Sequence, residues 1–216
     1  MKSVNVLLVL SIMLAAASII FAGFNILSYG MLNNLGATGF LTSNQTSGLV
    51  NVTVQSNLII NFTTDAIWWG SGRVDPGANN ATLDTSRNTT YKVLNGNWNT
   101  FAYNKSNGFI IENIGNLNAS LWIATAKNST QFLGGGNPAY QFNITNNEAN
   151  SCTNATGLNF GRYYDVNTTG LGTNVCSLIE PNDARDTVRL DILLRIPSGS
   201  LTGELTDTIT ATASAA

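Results

Sequence analysis

Asparagine and cysteine are the residue types of this chain whose spacing points to chemistry. Histidine is absent from its 216 residues. That absence removes the commonest general acid and base and the commonest neutral metal ligand. A serine nucleophile would then need a lysine or a carboxylate as its base, and no such pair stands out in the sequence. We therefore expect no enzyme activity, no cofactor and no metal centre.

Asparagine recurs in the tripeptide Asn-x-Ser/Thr, the acceptor motif for N-linked glycans, and no copy has proline in the middle position. This abundance predicts covalent N-glycans on an exported surface. The alternative is that a charge-poor chain rich in Asn and Thr produces the motif as a by-product of composition. The predicted acceptors are Asn44, Asn51, Asn61, Asn80, Asn88, Asn104, Asn118, Asn128, Asn143, Asn154 and Asn167.

The two cysteines of the chain are Cys152 and Cys176. In an exported protein an isolated pair at this separation predicts one disulfide. Two buried free thiols in a reducing compartment are the alternative. The 10 basic and 12 acidic residues are few and scattered, so the sequence predicts no nucleic-acid surface.

Three other motifs have a functional and a structural interpretation. The acidic run at 180–186, which includes Asp183, could supply oxygen ligands to calcium or form a solvated connection between strands. Trp68 and Trp69 could stack on a sugar or a partner, or divide between the core and an edge. The glycines at 134–136 resemble a phosphate-binding loop, but no Lys-Ser/Thr follows them, so we expect a loop tip.

The N-terminal part of the chain, residues 1–29, predicts a hydrophobic helix. No charged side chain occurs between Lys2 and Asp65, and the apolar run at 4–23 is long enough to cross a bilayer. It is either a signal peptide or a retained membrane anchor, and the position of Lys2 places the N-terminus inside. Residues 30–48, with Phe40 and Leu41, form an uncharged linker or an arm that could be donated to a neighbour.

Residues 49–216 carry the alternating pattern of half-buried strands. The clearest runs cover 50–54, 140–144 and 188–196, and further candidates lie at 58–64, 98–103, 109–112, 120–125 and 205–212. Turns rich in Gly and Asn separate them, which favours an all-β fold, an immunoglobulin-like antiparallel β-sandwich. The residues expected on the buried face are Val50, Val52, Leu190, Ile192, Leu194 and Ile209.

Several segments resemble known surface proteins. Residues 108–123 resemble the strand, turn and strand unit of archaeal and bacterial immunoglobulin-like surface domains, and 196–213 is similar to their closing hairpin and to camelysin/TasA-like filament subunits. Residues 67–77 are similar to a strand and turn of archaeal secreted proteins. Archaeal pilins and archaellins share the plan of a hydrophobic helix followed by a glycosylated β domain, although this chain lacks an early acidic residue.

These features favour a structural cell-surface glycoprotein, a homo-oligomer or a subunit of an extracellular filament or sheath assembled by strand exchange. Two alternatives remain open. One is a membrane-tethered binding or adhesion module that presents Trp68, Trp69 and the tip at 134–138. The other is a pilin-type subunit whose helix packs in the core of the filament.

Overall fold

The computed structural model describes residues 51–87, 92–98, 107–153 and 158–216. The chain divides into two compact units, 1–53 and 54–216, and the first lies almost entirely outside the described residues. The predicted N-terminal helix and the arm with Phe40 and Leu41 therefore lie outside them too. In the described part, no helix has the length and hydrophobicity that crossing a bilayer requires.

The described part of the second unit is an all-β structure of antiparallel strands with one short helix. The strands are β1 (Ile60–Thr64), β2 (Asn80–Asp84), β3 (Val93–Leu94), β4 (Phe109–Asn113), β5 (Ala119–Thr125), β6 (Ala139–Asn146), β7 (Cys152–Thr153), β8 (Tyr164–Asp165), β9 (Thr173–Ile179), β10 (Thr187–Pro197) and β11 (Ile209–Ala215). The helix α1 (Ser129–Leu133) begins at Asn128, whose side chain accepts a hydrogen bond from the amide of Gln131 in a capping box.

The larger sheet is organised around β10, which has strands on both edges. One edge pairs along most of its length with β6, which in turn pairs with β8. The other edge is shared: β4 pairs with residues 187–190 and β2 with residues 193–197. β1 then extends the sheet from β4, and β3 extends it from β2. The smaller sheet has the order β11-β5-β9-β7.

One apolar cluster draws buried side chains from both sheets. The alternation in β5 and β10 explains it, because every second residue of a strand points to the same face. From the large sheet the cluster contains Leu83, Ile111, Phe142, Ile144, Val188 and Leu190, and from the small sheet Leu121, Ile123, Val175, Cys176 and Ile179.

The predicted strands are confirmed where both neighbours of the strand are present. β4, β5, β6 and β10 lie at their predicted positions, and Leu190, Ile192 and Leu194 are buried. Ile209 is only half-buried, because β11 is an edge strand of the small sheet. The last strand begins at 209 rather than 205, and residues 99–103 lie outside the described part of the chain.

The prediction for the first strand is wrong. Residues 51–59 form no strand, and the exposed fractions of Val52 and Val54 are 83% and 75%. The alternating pattern is present, but among the described residues no strand pairs with this segment. Val50, which shares the pattern, lies outside them.

Candidate functional site

The polar centre of the described structure lies where β10 changes partner from β4 to β2. At this junction no strand of the described residues pairs with Ile192 on this edge of β10, and Thr85 supplies the hydrogen bonds to its backbone instead. Its amide donates to the carbonyl of Ile192 at 3.0 Å, and its hydroxyl oxygen accepts from the amide of Ile192 at 2.8 Å. The same hydroxyl donates to Oδ1 of Asp191 at 2.7 Å, so it both satisfies the strand and holds a buried carboxylate.

Asp191 is 3% exposed and is held by Arg189 on the same strand. Nε and Nη2 of Arg189 both lie 2.9 to 3.0 Å from the carboxylate oxygens, and Nη2 also donates to the carbonyl of Thr85 at 3.2 Å. A Cβ at Gly108 would lie 2.5 Å from Oδ1 of Asp191. The residue before β4 must therefore be glycine for this ion pair to fit.

A second buried carboxylate, that of Asp84, lies at the end of β2. It accepts hydrogen bonds from the amide of Ser86 at 2.9 Å, from the Ser86 hydroxyl at 2.7 Å and from Nε of Arg87 at 3.0 Å. The hydroxyl of Tyr163 also donates to it. Burial, assisted by this hydrogen bond to Asp84, raises the pKa of Tyr163 above its ordinary value. Tyr163 therefore stays protonated and acts as a donor.

Lys92 lies immediately before β3, near the same junction. It is 4% exposed, and its Nζ donates to Oδ1 of Asn107 at 2.7 Å. Burial lowers the pKa of Lys92, and the charge of Arg189 lowers it further, while Asp191 and Asp84 act in the opposite direction. The net effect is a lowered pKa, so Lys92 loses its proton more readily than a lysine on the surface.

The junction therefore combines two buried carboxylates, a buried amine and an amide side chain in contact with that amine. Its carboxylates are hydrogen-bonded rather than open to a substrate, which is unlike the arrangement of an acid and base pair in a hydrolase. In the part of the chain that the structure describes, no three residues of His, Cys, Asp or Glu are grouped to hold a metal ion. Lys92 and Asn107 are in direct hydrogen-bond contact at this site.

Cys152 and Cys176 form the predicted disulfide, with their Cα atoms 5.7 Å apart. The bond joins β7 to β9, which are neighbours in the small sheet, and both cysteines are buried. It therefore links paired strands within one sheet.

The sequon asparagines differ in exposure. Asn51, Asn61, Asn118 and Asn128 are exposed, Asn80 and Asn167 are half-buried, and Asn44, Asn88, Asn104 and Asn154 lie outside the described residues. Asn143 is 4% exposed, and its Oδ1 accepts the amide of Gly161 at 2.9 Å. A glycan has no room on that side chain in the folded chain, so the prediction is wrong at Asn143.

The adjacent tryptophans divide between surface and core. Trp68 is 53% exposed, whereas Trp69 packs against the apolar cluster. The glycine-rich tip contributes Asn137 and Pro138 to a surface groove of about 750 Å³, whose floor includes Gln141, Asp165 and Arg195. The polar groups of this floor hydrogen-bond to one another: Gln141 donates to Asp165, and Arg195 to Asn137.

The acidic run at 180–186 forms a connection before β10. Glu180 pairs with Arg185 at 2.7 Å, and Glu148 accepts the amides of Asp186 and Thr187 at 3.0 and 3.2 Å. Burial raises the pKa of Asp186, and the neighbouring charges of Glu148, Glu112 and Asp183 raise it further. The geometry is that of a solvated connection, with an acidic group beside the start of the strand.

No protein-family model, curated protein or solved structure matches this chain. The function is therefore argued from the site and the surface alone. Sequence reasoning missed Asp84, Lys92 and Asn107, because each stands isolated in the sequence. The alternation at 188–196 puts Arg189 and Asp191 on one face of the strand, but it does not reveal their partners. The signal that was available is the pair of opposite charges two residues apart on one face of a long strand.

Proposed function

We propose that this chain is a structural glycoprotein of the cell surface, exported by its N-terminal hydrophobic helix and assembled into an extracellular filament or sheath. In this proposal each subunit is an immunoglobulin-like sandwich, and it donates a segment before β1 to a neighbouring copy. The two sheets that share one core support the sandwich, and the disulfide supports an oxidising compartment. The exposed sequons support a glycosylated outer surface.

The observation that carries the proposal is the exposure of Val52 and Val54. Both valines belong to a run that alternates as a strand does, and yet both are largely exposed. The run leads into an anchored segment: Asn116 accepts the amide of Asn57 at 2.6 Å and donates to the carbonyl of Gln55 at 2.7 Å. Exposed alternating valines beside a fixed anchor are what a donated strand requires.

The acceptor that suits this segment is the free edge of β11. Among the described residues β11 pairs only with β5, and its Ile209, Ala211 and Ala213 are half-buried against the core. No charged side chain occurs at 208–216 to discourage pairing at this edge. A strand from a second copy would supply the missing backbone partners and cover the half-buried side chains.

The exposed Trp68 and the polar groove favour a second candidate, the membrane-tethered binding module. The groove carries amide, carboxylate and guanidinium groups whose positions are fixed by their mutual hydrogen bonds. Hydrogen-bond donors and acceptors in fixed positions suit the hydroxyls of a sugar. This candidate predicts a monomer that stays in the membrane.

The proposal is tested by placing charge on the two faces of the donated segment. The full chain is produced in a host that adds no N-glycans, and assembly is followed by electron microscopy and light scattering. We expect Val52→Asp with Val54→Asp to leave a folded monomer, because a buried aspartate in the acceptor core would be unpaired. Thr53→Asp with Gln55→Asp is the matched control, with equal charge on the opposite face, and it should still assemble.

Filaments formed normally by the valine variant would contradict strand exchange at this segment. A wild-type chain that remains monomeric in the membrane would instead support the tethered module. The groove is then the surface to test, with Arg195→Ala and Asp165→Ala compared for binding to immobilised neutral oligosaccharides.

A further inference from the structure

The buried junction contains a contact that its structural role does not require. We propose that Lys92 and Asn107 become joined by an intramolecular isopeptide bond, formed by attack of the lysine amine on the asparagine amide. The two side chains meet across a separation of fifteen residues in the sequence, with Nζ 2.7 Å from Oδ1. This inference does not depend on filament assembly.

The contact geometry is close to that of the reacting pair. A hydrogen bond of 2.7 Å to the amide oxygen, at an ordinary angle, leaves Nζ roughly 3.5 Å from the carbonyl carbon. Reacting atoms held about 3 to 3.5 Å apart are near attack distance, and a fixed pair avoids the entropic cost of their encounter. A small rotation of the Asn107 amide would present its carbon to the amine.

The surroundings favour the neutral amine that the reaction needs. Lys92 is 4% exposed, and both its burial and the charge of Arg189 lower its pKa. Desolvation beside another cation is an established way of activating a lysine as a nucleophile. The carboxylates of Asp84 and Asp191, whose charges act on Lys92, are the proton acceptors in this proposal.

The step balances without an oxidant or a co-reactant. Nζ of Lys92 forms a bond to Cγ of Asn107, and the bond from Cγ to Nδ2 breaks. One proton from Nζ passes, through a carboxylate, to the departing nitrogen, which leaves as ammonia. Asn107 is exposed, so the ammonia has a path to solvent. The product is a secondary amide, stable towards reducing agents.

Asp191 lies close to the chain beside Asn107, and its charge acts on Lys92. A Cβ at Gly108 would be 2.5 Å from its Oδ1, so the carboxylate lies against the residue that follows Asn107. Arg189 and Thr85 hold it in that position. We assign Asp191 and Asp84 the role of carboxylates that assist the proton transfer.

The bond would join two parts of the large sheet that are not paired with each other. Lys92 precedes β3, which reaches β10 through β2, and Asn107 precedes β4, which pairs with the other half of the same edge. An amide link between them would fasten the edge at the junction where backbone pairing is interrupted. A subunit of an extracellular fibre would gain resistance to forced unfolding there.

Mass spectrometry tests the bond directly. The full chain, produced without N-glycans and reduced before measurement, should weigh less than its sequence by one ammonia. Trypsin should fail to cut after Lys92, and peptide 88–105 should appear as a branched species joined to 106–127. Lys92→Arg and Asn107→Ala should restore the full mass. Lys127→Arg, at a lysine bonded to a backbone carbonyl, is the control and should keep the deficit.

Two results would overturn the proposal. One is a wild-type chain of full mass. The other is the ammonia deficit with ordinary cleavage after Lys92 and a linear 106–127 peptide, since the sequence Asn107-Gly108 can also lose ammonia by closing a succinimide.

The carboxylates are tested separately. Asp191→Asn and Asp84→Asn should each lower the cross-linked fraction of freshly folded protein several-fold. An unchanged fraction in both would overturn the assisting roles assigned to them.

Discussion

The hydroxyl of Thr85 makes two buried hydrogen bonds at the junction. It accepts the amide of Ile192 and donates to Asp191, and both of these partners are buried. We expect Thr85→Val to leave the amide of Ile192 without this partner and, among the described residues, Asp191 with only its bonds to Arg189, and to lower the free energy of unfolding by about 2 kcal/mol. Urea unfolding measures this loss. Thr210→Val, on the exposed side of β11, is the control and should change little.

Asp186 should make stability depend on pH. Its pKa in the folded chain is raised above the ordinary 3.8, so the folded state binds the proton more tightly than the unfolded state does. Stability therefore falls as pH rises from 3.8 through the raised pKa. Asp186→Asn should be more stable than the wild type above this window and equal to it below. Urea midpoints across acid pH measure the difference, and a gain that persists below pH 3.8 would exclude ionisation of the Asp186 carboxyl as its cause.

The residues of the junction illustrate why a candidate site escapes sequence reasoning. The polar face of β10 is visible as Arg189, Asp191 and Arg195 at alternate positions, a pattern typical of a solvated surface. Asp191 is nevertheless buried, because Thr85 and Gly108 arrive from strands more than eighty residues earlier. Nothing local to Lys92 or Asn107 predicts that they meet.

At the scale of elements, Gly172 fixes how β9 begins beside β5. Its φ is +88°, and a Cβ there would lie 1.9 Å from the carbonyl oxygen of Ile123. Gly172→Ala should therefore cost about 3 kcal/mol or more, from strain and backbone displacement together. Gly161→Ala is the matched control: its φ is +81° but its surroundings are open, so only about 1 kcal/mol of strain is expected. Equal losses in thermal unfolding would show that the close approach is unimportant.

The strands that sequence reasoning found have a regular pattern of apolar residues, and in the strands that it missed this pattern is broken. β4, β5, β6 and β10 have clear alternation, or apolar runs bounded by turn residues, and they were predicted. β9 was missed because a register shift against β5 buries the adjacent Val175 and Cys176 and breaks the alternation. β2 was missed because its core residues, Ala81 and Leu83, are followed by the buried Asp84. Val52 was predicted to be buried because it belongs to an alternating run. The prediction failed because alternation alone does not say whether a partner strand exists.

At the scale of the whole molecule, removal of residues 31–47 tests whether the arm with Phe40 and Leu41 takes part in assembly. Strand exchange through this region predicts a folded, secreted monomer that no longer polymerises, because the donated backbone pairing is lost or shortened. Intact-mass analysis and electron microscopy measure export and assembly together. Unchanged filaments would exclude residues 31–47 as the donated arm, and would leave exchange through the segment with Val52 and Val54 or packing of the N-terminal helices in the filament core.

The position of β10 along the chain has a consequence for biogenesis. β2, β4 and β6 each pair with residues 187–197, so the large sheet lacks its central strand until that segment has been synthesised. Pairing across such sequence distances is slow, because long loops must close before any contact rewards them. If the chain is exported as proposed, it could therefore cross the membrane while still unfolded. Folding would then follow on the far side, where an oxidising compartment would allow the bond between Cys152 and Cys176 to form.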